Sequence, residues 1–197
     1  MSEHEMQSAV AMIKDEHRSL ATVIKSMQYL LEQAQASGQS PNFGLLRAAV
    51  FYIESFTERL HHPKEEAYLF RLLKSRTSEF DRELARLQCE HVEEEQTYYE
   101  LARALRRYEA CIADGPAAFA DILGRFAEAA WEHMRLEEEV ILPAATRHLT
   151  AEDWQEVVEA FFKNDDPRFG TEPDEYFHQI FALLQSLMPE GWAARVR

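Results

Sequence analysis

Apolar residues recur every three or four positions along four long stretches of the chain, and this spacing predicts amphipathic α-helices. Short segments rich in Gly, Ser, Asp and Pro separate the four stretches. Because short connections make consecutive helices antiparallel neighbours, the pattern predicts an all-α, up-down-up-down four-helix bundle. The predicted helices cover residues 6–36, 43–74, 79–113 and 117–147.

Two prolines lie inside these predicted helices. Pro63 directly follows His61 and His62 in the second helix, and Pro143 lies in the last turns of the fourth. Proline lacks a backbone N–H and its ring crowds the preceding turn, so we expect both helices to bend at these positions.

The chain divides into a bundle domain over 8–148 and a C-terminal segment over 149–197 with a different pattern. Thr150 and Asp153 are typical of an N-cap pair that opens a short helix. A turn-rich loop follows, and a second short helix is predicted over 174–188. Aromatic residues in both short helices indicate that they dock on the bundle as a helical extension.

Each long predicted helix carries a histidine near its middle, on or beside the apolar stripe. Because that stripe faces the core of a bundle, the four imidazoles are expected to meet in one layer. A single histidine at such a position is more often a hydrogen-bonded core residue. Four of them on four different helices favour a metal site. They are His17, His61, His91 and His133.

Two of these histidines precede a glutamate by four residues, in segments that can be laid over each other. His61 precedes Glu65, and His133 precedes Glu137. Residues four apart lie one above the other on a helix, so each pair can reach one metal ion. A buried glutamate needs a strong partner, which a cation supplies.

Two further questions about the ligand set stay open from the sequence. In the second helix, His62 with Glu66 is an alternative register to the first pair. In the third helix, Glu95 stands four residues after His91 and Glu94 stands three after it. Either acid could coordinate a metal ion, and Glu95 is slightly favoured by the four-residue spacing.

Histidine nitrogens and carboxylate oxygens suit iron, with manganese or zinc as substitutes. The number of candidate ligands favours two ions, because two octahedral ions need roughly twelve coordination positions. Four histidines, two bridging carboxylates and a bridging oxygen would fill roughly ten of them, and His62 or Glu95 would add one. The remaining position would be open to a small molecule such as dioxygen.

These residues resemble the hemerythrin-like family, specifically its bacterial HHE cation-binding branch, over residues 8–148. The resemblance rests on four segments of fixed order. They are Asp15-Glu16-His17-Arg18-Ser19-Leu20, His61-His62-Pro63-Lys64-Glu65-Glu66, Glu90-His91 and His133-Met134-Arg135-Leu136-Glu137-Glu138.

The resemblance implies six iron ligands, among which Glu65 and Glu137 would bridge the two ions. The chain departs from oxygen-carrying hemerythrins at Glu95, where they have a second histidine, and at Glu137, where they use an aspartate. A carboxylate in place of an imidazole favours ferric iron, and therefore redox, sensing or storage roles over reversible oxygen carriage. The implied ligands are His17, His61, Glu65, His91, His133 and Glu137.

Charge and composition limit the partners. The formal net charge is -14, from 35 acidic and 21 basic residues, which disfavours binding to nucleic acid or to an anionic membrane. The N-terminus does not resemble a secretory signal, and no apolar run reaches the ~20 residues of a membrane helix. Cys89 and Cys111 are too far apart along one predicted helix to form a disulfide, and Cys89 is expected to be buried. We expect a cytoplasmic protein.

The sequence thus predicts a non-haem di-iron protein that binds or senses dioxygen, nitric oxide, peroxide or iron. It is expected to be a metal-binding or sensor protein more than a dedicated enzyme, and its oligomeric state is open between monomer and homodimer. One alternative is a ferritin-like ferroxidase, although such sites favour Glu-x-x-His with the acid first. Another is a metal-free helical interaction module.

Overall fold

The apolar stripes form four long helices in a computed structural model that describes residues 3–162, 182–184 and 186. Helix α1 is Glu3–Ser37 and helix α3 is Asp81–Glu109. Helix α2 is continuous over 43–76, and helix α4 over 115–148. Each long helix packs against the next, and α4 packs against α1.

Two apolar clusters lie at opposite ends of the bundle, and their order along the chain alternates. Along α1 the lower cluster, which includes Ile13, precedes the upper cluster, which includes Ile24. Along α2 the upper cluster, with Phe56, precedes the lower one, with Phe70. The order reverses again in α3 and in α4, which confirms the predicted up-down-up-down bundle. A layer of buried polar side chains separates the two clusters on every helix.

Both prolines lie next to π-helical turns. In α2, Ile53–His61 and Glu65–Phe70 are π-helical on either side of His62–Lys64, and in α4 the π-helical segment is Glu137–Ile141. A π-turn is wider than an α-turn and accommodates the missing N–H and the bulky ring of proline. Such turns are frequent at functional sites, and here they flank the predicted His–Glu pairs.

Helix α3 ends at Glu109 and not at residue 113 as predicted. The chain turns sharply there, and Cys111 adopts a left-handed backbone with φ of 57°. Gly115 then opens α4 so close to Tyr108 that a Cβ atom would approach the Tyr108 Cα to 2.7 Å. Only glycine fits this contact. The expectation that Cys89 is buried is wrong, because both cysteines are exposed and free.

A fifth helix, α5, spans Ala151–Phe162 and packs against α1 and α2. Its first turn is capped as predicted: the Thr150 N–H donates to Asp153 Oδ2 at 2.8 Å, and the Asp153 N–H donates to Thr150 Oγ1 at 3.3 Å. Arg76 at the end of α2 also donates two hydrogen bonds to Asp153, at 2.7 and 2.8 Å. Trp154, Val157 and Phe161 are buried in the lower cluster.

The second short helix predicted over 174–188 lies mostly outside the described residues. Leu184 belongs to the described part and is buried in the upper cluster. Within the described ranges, no helix combines the length and the apolar character that a membrane crossing requires.

Candidate metal centre

The polar layer contains one histidine from each long helix. His17 comes from α1, His61 from α2, His91 from α3 and His133 from α4, and each ring is at most 5% exposed. Each of them continues the stripe of apolar residues on its helix, so the packing that buries the stripe also buries the imidazole. The structure therefore brings together the four imidazoles that the sequence analysis singled out.

The ligating atoms of this layer fall into two groups that share their carboxylates. Glu65 and Glu137 belong to both groups. In the first group they lie with His17 and His61, and in the second with His91 and His133. One nitrogen or oxygen atom from each member of a group lies within 4.8 Å of the others. The layer thus contains two adjacent positions at which two imidazoles and two carboxylates converge.

The two oxygens of each shared carboxylate face different groups. Glu65 Oε1 lies 3.3 Å from His61 Nε2, whereas Glu65 Oε2 lies 3.7 Å from His91 Nε2. Glu137 Oε2 lies 3.2 Å from His17 Nε2, whereas Glu137 Oε1 lies 3.3 Å from His133 Nε2. Both carboxylates are therefore oriented as bridges between two positions.

A carboxylate on the outer side of the layer orients each of the four rings. His17 Nδ1 lies 3.0 Å from Glu138 Oε1, and His61 Nδ1 lies 2.6 Å from Glu16 Oε2. A carboxylate only accepts hydrogen bonds, so each Nδ1 carries a proton that it donates. A carboxylate that accepts this proton fixes the tautomer of a ligating histidine. The other two pairs are His91 with Glu66 at 2.7 Å and His133 with Glu90 at 3.1 Å.

The outer carboxylates leave the inner nitrogen of each neutral ring with a lone pair. His91 Nε2 and His133 Nε2 face each other at 3.2 Å. Two lone pairs at that distance repel, so a proton or a metal ion must lie between or beside them. The donor chemistry of this pair therefore fits a cation.

The bridging carboxylates support the same conclusion. Glu65 and Glu137 are fully buried, and none of their four oxygens makes a hydrogen bond to any described residue. His17 Nε2 also lacks one, although Glu137 Oε2 is near, because these atoms point towards a common position and not at each other. An unpaired buried carboxylate costs several kcal/mol unless a cation compensates it, on the order of the penalty for any buried ion. Metal ions fit these residues.

The electrostatics of the layer favour positive charge. Burial alone lowers the pKa of His17, but contacts with Glu137, Glu138 and Glu65 outweigh it and raise the pKa well above its ordinary value. At His133 burial is again outweighed, chiefly by the charge of Glu137, and the pKa is raised to about 11. The pKa of Glu137 is well below its ordinary value because the two histidines outweigh the effect of burial.

The two candidate acids of α3 lie in different surroundings. Glu95 is exposed, and its Oε1 lies 3.5 Å from the Tyr99 hydroxyl. Glu94 is buried, with Oε1 3.8 Å from His133 Nδ1. His62 is buried as well, and its ring stacks on His91 with centroids 4.0 Å apart. The spacing of four from His91 favoured Glu95, but the stripe from His91 to Tyr98 passes through Glu94.

The sequence alone does not assign an orienting role to the four outer carboxylates. The signal is present, because a glutamate directly precedes the histidine on α1 and α3 and directly follows the bridging acid on α2 and α4. These acids stand at positions 16, 90, 66 and 138. Their hydrogen bonds connect neighbouring helices, since each carboxylate orients a histidine on another helix.

The two positions differ in their access to solvent. On the side of His61, the rings of Phe56 and Phe161 lie 6.1 and 6.4 Å from the imidazole, and both phenylalanines are at most 1% exposed. On the side of His91, a groove of about 520 Å³ reaches the ring from the surface. We call it the acidic groove, after the carboxylates among its lining residues. Its polar lining residues are Glu58, His62, Glu66, Gln88, His91 and Glu95.

Comparison with known proteins identifies the fold and its cation-binding character. A family model described as the hemerythrin HHE cation-binding domain matches residues 8–145. No curated protein and no solved structure gives a significant match to the chain.

Proposed function

Since the chain belongs to the hemerythrin HHE cation-binding domain family, we propose that it binds a pair of non-haem iron ions and uses them to bind or sense a small molecule. His17 and His61 would hold one ion, His91 and His133 would hold the other, and Glu65 and Glu137 would be shared between them. The orientation of those two carboxylates carries the proposal, because each has one oxygen directed to each position.

The ligand count supports an open coordination position. The chain would offer each ion two imidazoles and two carboxylate oxygens, whereas an octahedral iron ion accepts about six donors. Such a pair supplies one-electron redox chemistry and a vacant position for dioxygen, nitric oxide or peroxide. The acidic groove reaches His91, so the ion beside His91 and His133 is the one that a small molecule reaches first.

The residues of the chain control this site in two ways. The outer carboxylates hold each imidazole in the tautomer that presents Nε2 to the metal. Phe56 and Phe161 keep water from the side of His61. The site works as a binding or sensing centre in the cytoplasm, a location with which two free exposed cysteines are compatible.

Metal analysis with an optical spectrum tests the proposal. Protein purified after iron-supplemented growth should contain about two irons per chain, with a near-ultraviolet charge-transfer band that reduction abolishes. Nitric oxide added to the reduced protein should change that spectrum. Less than about half an equivalent of iron would instead favour the metal-free helical module. Turnover of excess ferrous ion into a mineral core would favour the ferroxidase.

A further inference from the structure

A third group of ligating atoms lies beside the two positions of the metal centre. It consists of Glu58, His62 and Glu94, which each contribute one atom within 4.8 Å of the others. His62 Nδ1 lies 3.6 Å from Glu58 Oε2, and His62 Nε2 lies 3.8 Å from Glu94 Oε2. The three side chains are at most 8% exposed.

These buried side chains have polar atoms without hydrogen-bond partners among the described residues. They are both carboxylate oxygens of Glu94, Oε1 of Glu58 and Nδ1 of His62. A buried donor or acceptor without a partner is costly, and a carboxylate especially so.

The acidic groove connects this group to solvent. Glu58 and His62 line the groove, together with the more exposed carboxylates Glu66 and Glu95. The lining contains no lysine or arginine among the described residues. A concave surface lined by one sign of charge concentrates ions of the other sign. The groove therefore attracts cations.

His62 links the third group to the metal centre. Its ring stacks on that of His91, and His62, His91 and His133 also form a group whose ligating atoms lie within 4.8 Å of one another. A cation held by Glu58 and Glu94 is thus one imidazole away from the position at His91 and His133. Two carboxylates and an imidazole suit divalent first-row metal ions such as ferrous iron.

We propose that Glu58, His62 and Glu94 form a third cation site, which receives ferrous ions from the acidic groove before they reach the dinuclear centre. The inference rests on the proposed function for the destination of the ion. The site itself rests only on its three side chains and on the groove.

Equilibrium dialysis of metal-free protein against Zn²⁺ tests the site without redox chemistry. Wild-type protein should bind about three ions per chain, whereas Glu58→Gln and Glu94→Gln should each bind the third ion about 10- to 100-fold more weakly. Glu93→Gln is the matched control, because it removes the same charge from an exposed position next to Glu94. It should bind all three ions as tightly as the wild type.

Anomalous scattering from Zn²⁺-loaded crystals locates the ions and separates the possible failures. A third peak between Glu58, His62 and Glu94 supports the site. Two peaks at the dinuclear centre alone overturn the third site and leave the proposed function intact. A peak at the third group alone supports the third site and contradicts the dinuclear centre, and an absence of bound ions overturns both.

The rate of anaerobic Fe²⁺ uptake tests the path. Glu58→Gln should fill the dinuclear centre to the same final content as the wild type, but about tenfold more slowly. Glu93→Gln should fill it at the wild-type rate. Equal uptake rates for the wild type and for Glu58→Gln would overturn the role of the site in delivery, and an unchanged melting temperature would verify that the variants are folded.

Discussion

The carboxylates of Glu65 and Glu137 approach within 4.8 Å of each other in the interior of the bundle, where both are fully buried. Two like charges at this distance repel strongly in a medium of low dielectric constant. Cations on both sides would relieve this repulsion, and the four imidazoles mark those two sides. The stability of the bundle should therefore depend on what the two acids bind.

Glu65→Gln should remove most of the metal dependence of stability, because the bridging charge is lost. Each ion held at about 100 times its dissociation constant adds about 2.7 kcal/mol, which corresponds to about 5 to 10 °C in melting temperature for a chain of this size. A chelator should lower the melting temperature of the wild type by at least the contribution of one ion, and that of Glu65→Gln by much less. Calorimetry with and without chelator measures the difference.

Glu128→Gln is the control for this comparison, because it removes one charge from an exposed position on α4. It should respond to the chelator as the wild type does. If Glu65→Gln responded equally, the carboxylate would not contribute to metal binding.

Glu138→Ala should weaken metal binding without removing a ligand. Glu138 accepts the hydrogen bond from His17 Nδ1, and loss of such an orienting partner typically costs about 10- to 100-fold in metal affinity. At saturating metal the stoichiometry should stay the same. Competition with a chromophoric chelator measures the affinity. The adjacent Glu139→Ala serves as reference, since Glu139 pairs only with exposed Arg135 among the described contacts, and a loss of equal size there would contradict the role of Glu138.

The fold could be predicted from the sequence because the apolar residues that recur with helical periodicity are also the buried ones along every long helix. Apolar residues three or four apart define one face, and four such faces can only be buried against each other. The end of α3 could not be predicted in the same way. It depends on the left-handed Cys111 and on the contact between Gly115 and Tyr108, which no periodicity encodes.

Part of the candidate site could be predicted for the same reason. His17, His61, His91 and His133 interrupt apolar stripes, so their direction follows from that of their neighbours. In the run from Glu93 to Glu95, each glutamate side chain points in a different direction around the helix axis. The spacing of four residues from His91 favoured Glu95, whereas packing buries Glu94. The partners of the outer carboxylates lie on other helices, so their roles required the tertiary structure.

Asp153→Asn should loosen α5 in a pH-dependent way. The hydrogen bonds from Arg76 hold the pKa of Asp153 at about 2, below its ordinary value of about 3.9. A depressed pKa means that the stabilisation is present above about pH 4 and is lost as the pH falls towards 2. At pH 7 the amide oxygen of Asn still caps the helix, but the charge-assisted pairing with Arg76 is lost, which should cost about 1 kcal/mol.

The melting temperatures of the wild type and of Asp153→Asn should thus differ by a constant amount above about pH 5 and converge between about pH 4 and pH 2. Thermal melts monitored by circular dichroism across this range measure the gap. Glu159→Gln, an exposed change on the same helix, should show no such convergence. A gap for Asp153→Asn that is independent of pH would mean that its carboxylate charge contributes nothing to docking.

Phe161→Ala should open the closed side of the metal centre. Phe161 is 1% exposed and its ring meets His61 nearly edge-on, at an interplanar angle of 83°. Removing the ring leaves a cavity that costs about 3 to 5 kcal/mol and gives water and chelators a path to His61. The rate at which the loaded protein loses metal to a chelator should rise by about tenfold or more.

Destabilisation alone could accelerate metal loss, so the comparison needs a variant with an equal packing defect elsewhere. Phe119→Ala provides it. Phe119 is fully buried in the upper cluster, so the substitution removes the same ring at a distance from His61. Both variants should unfold at similarly reduced denaturant concentrations, and only Phe161→Ala should release metal faster than its stability predicts. Equal release from the two variants would mean that global unfolding, and not the Phe161 ring, controls access to the ions.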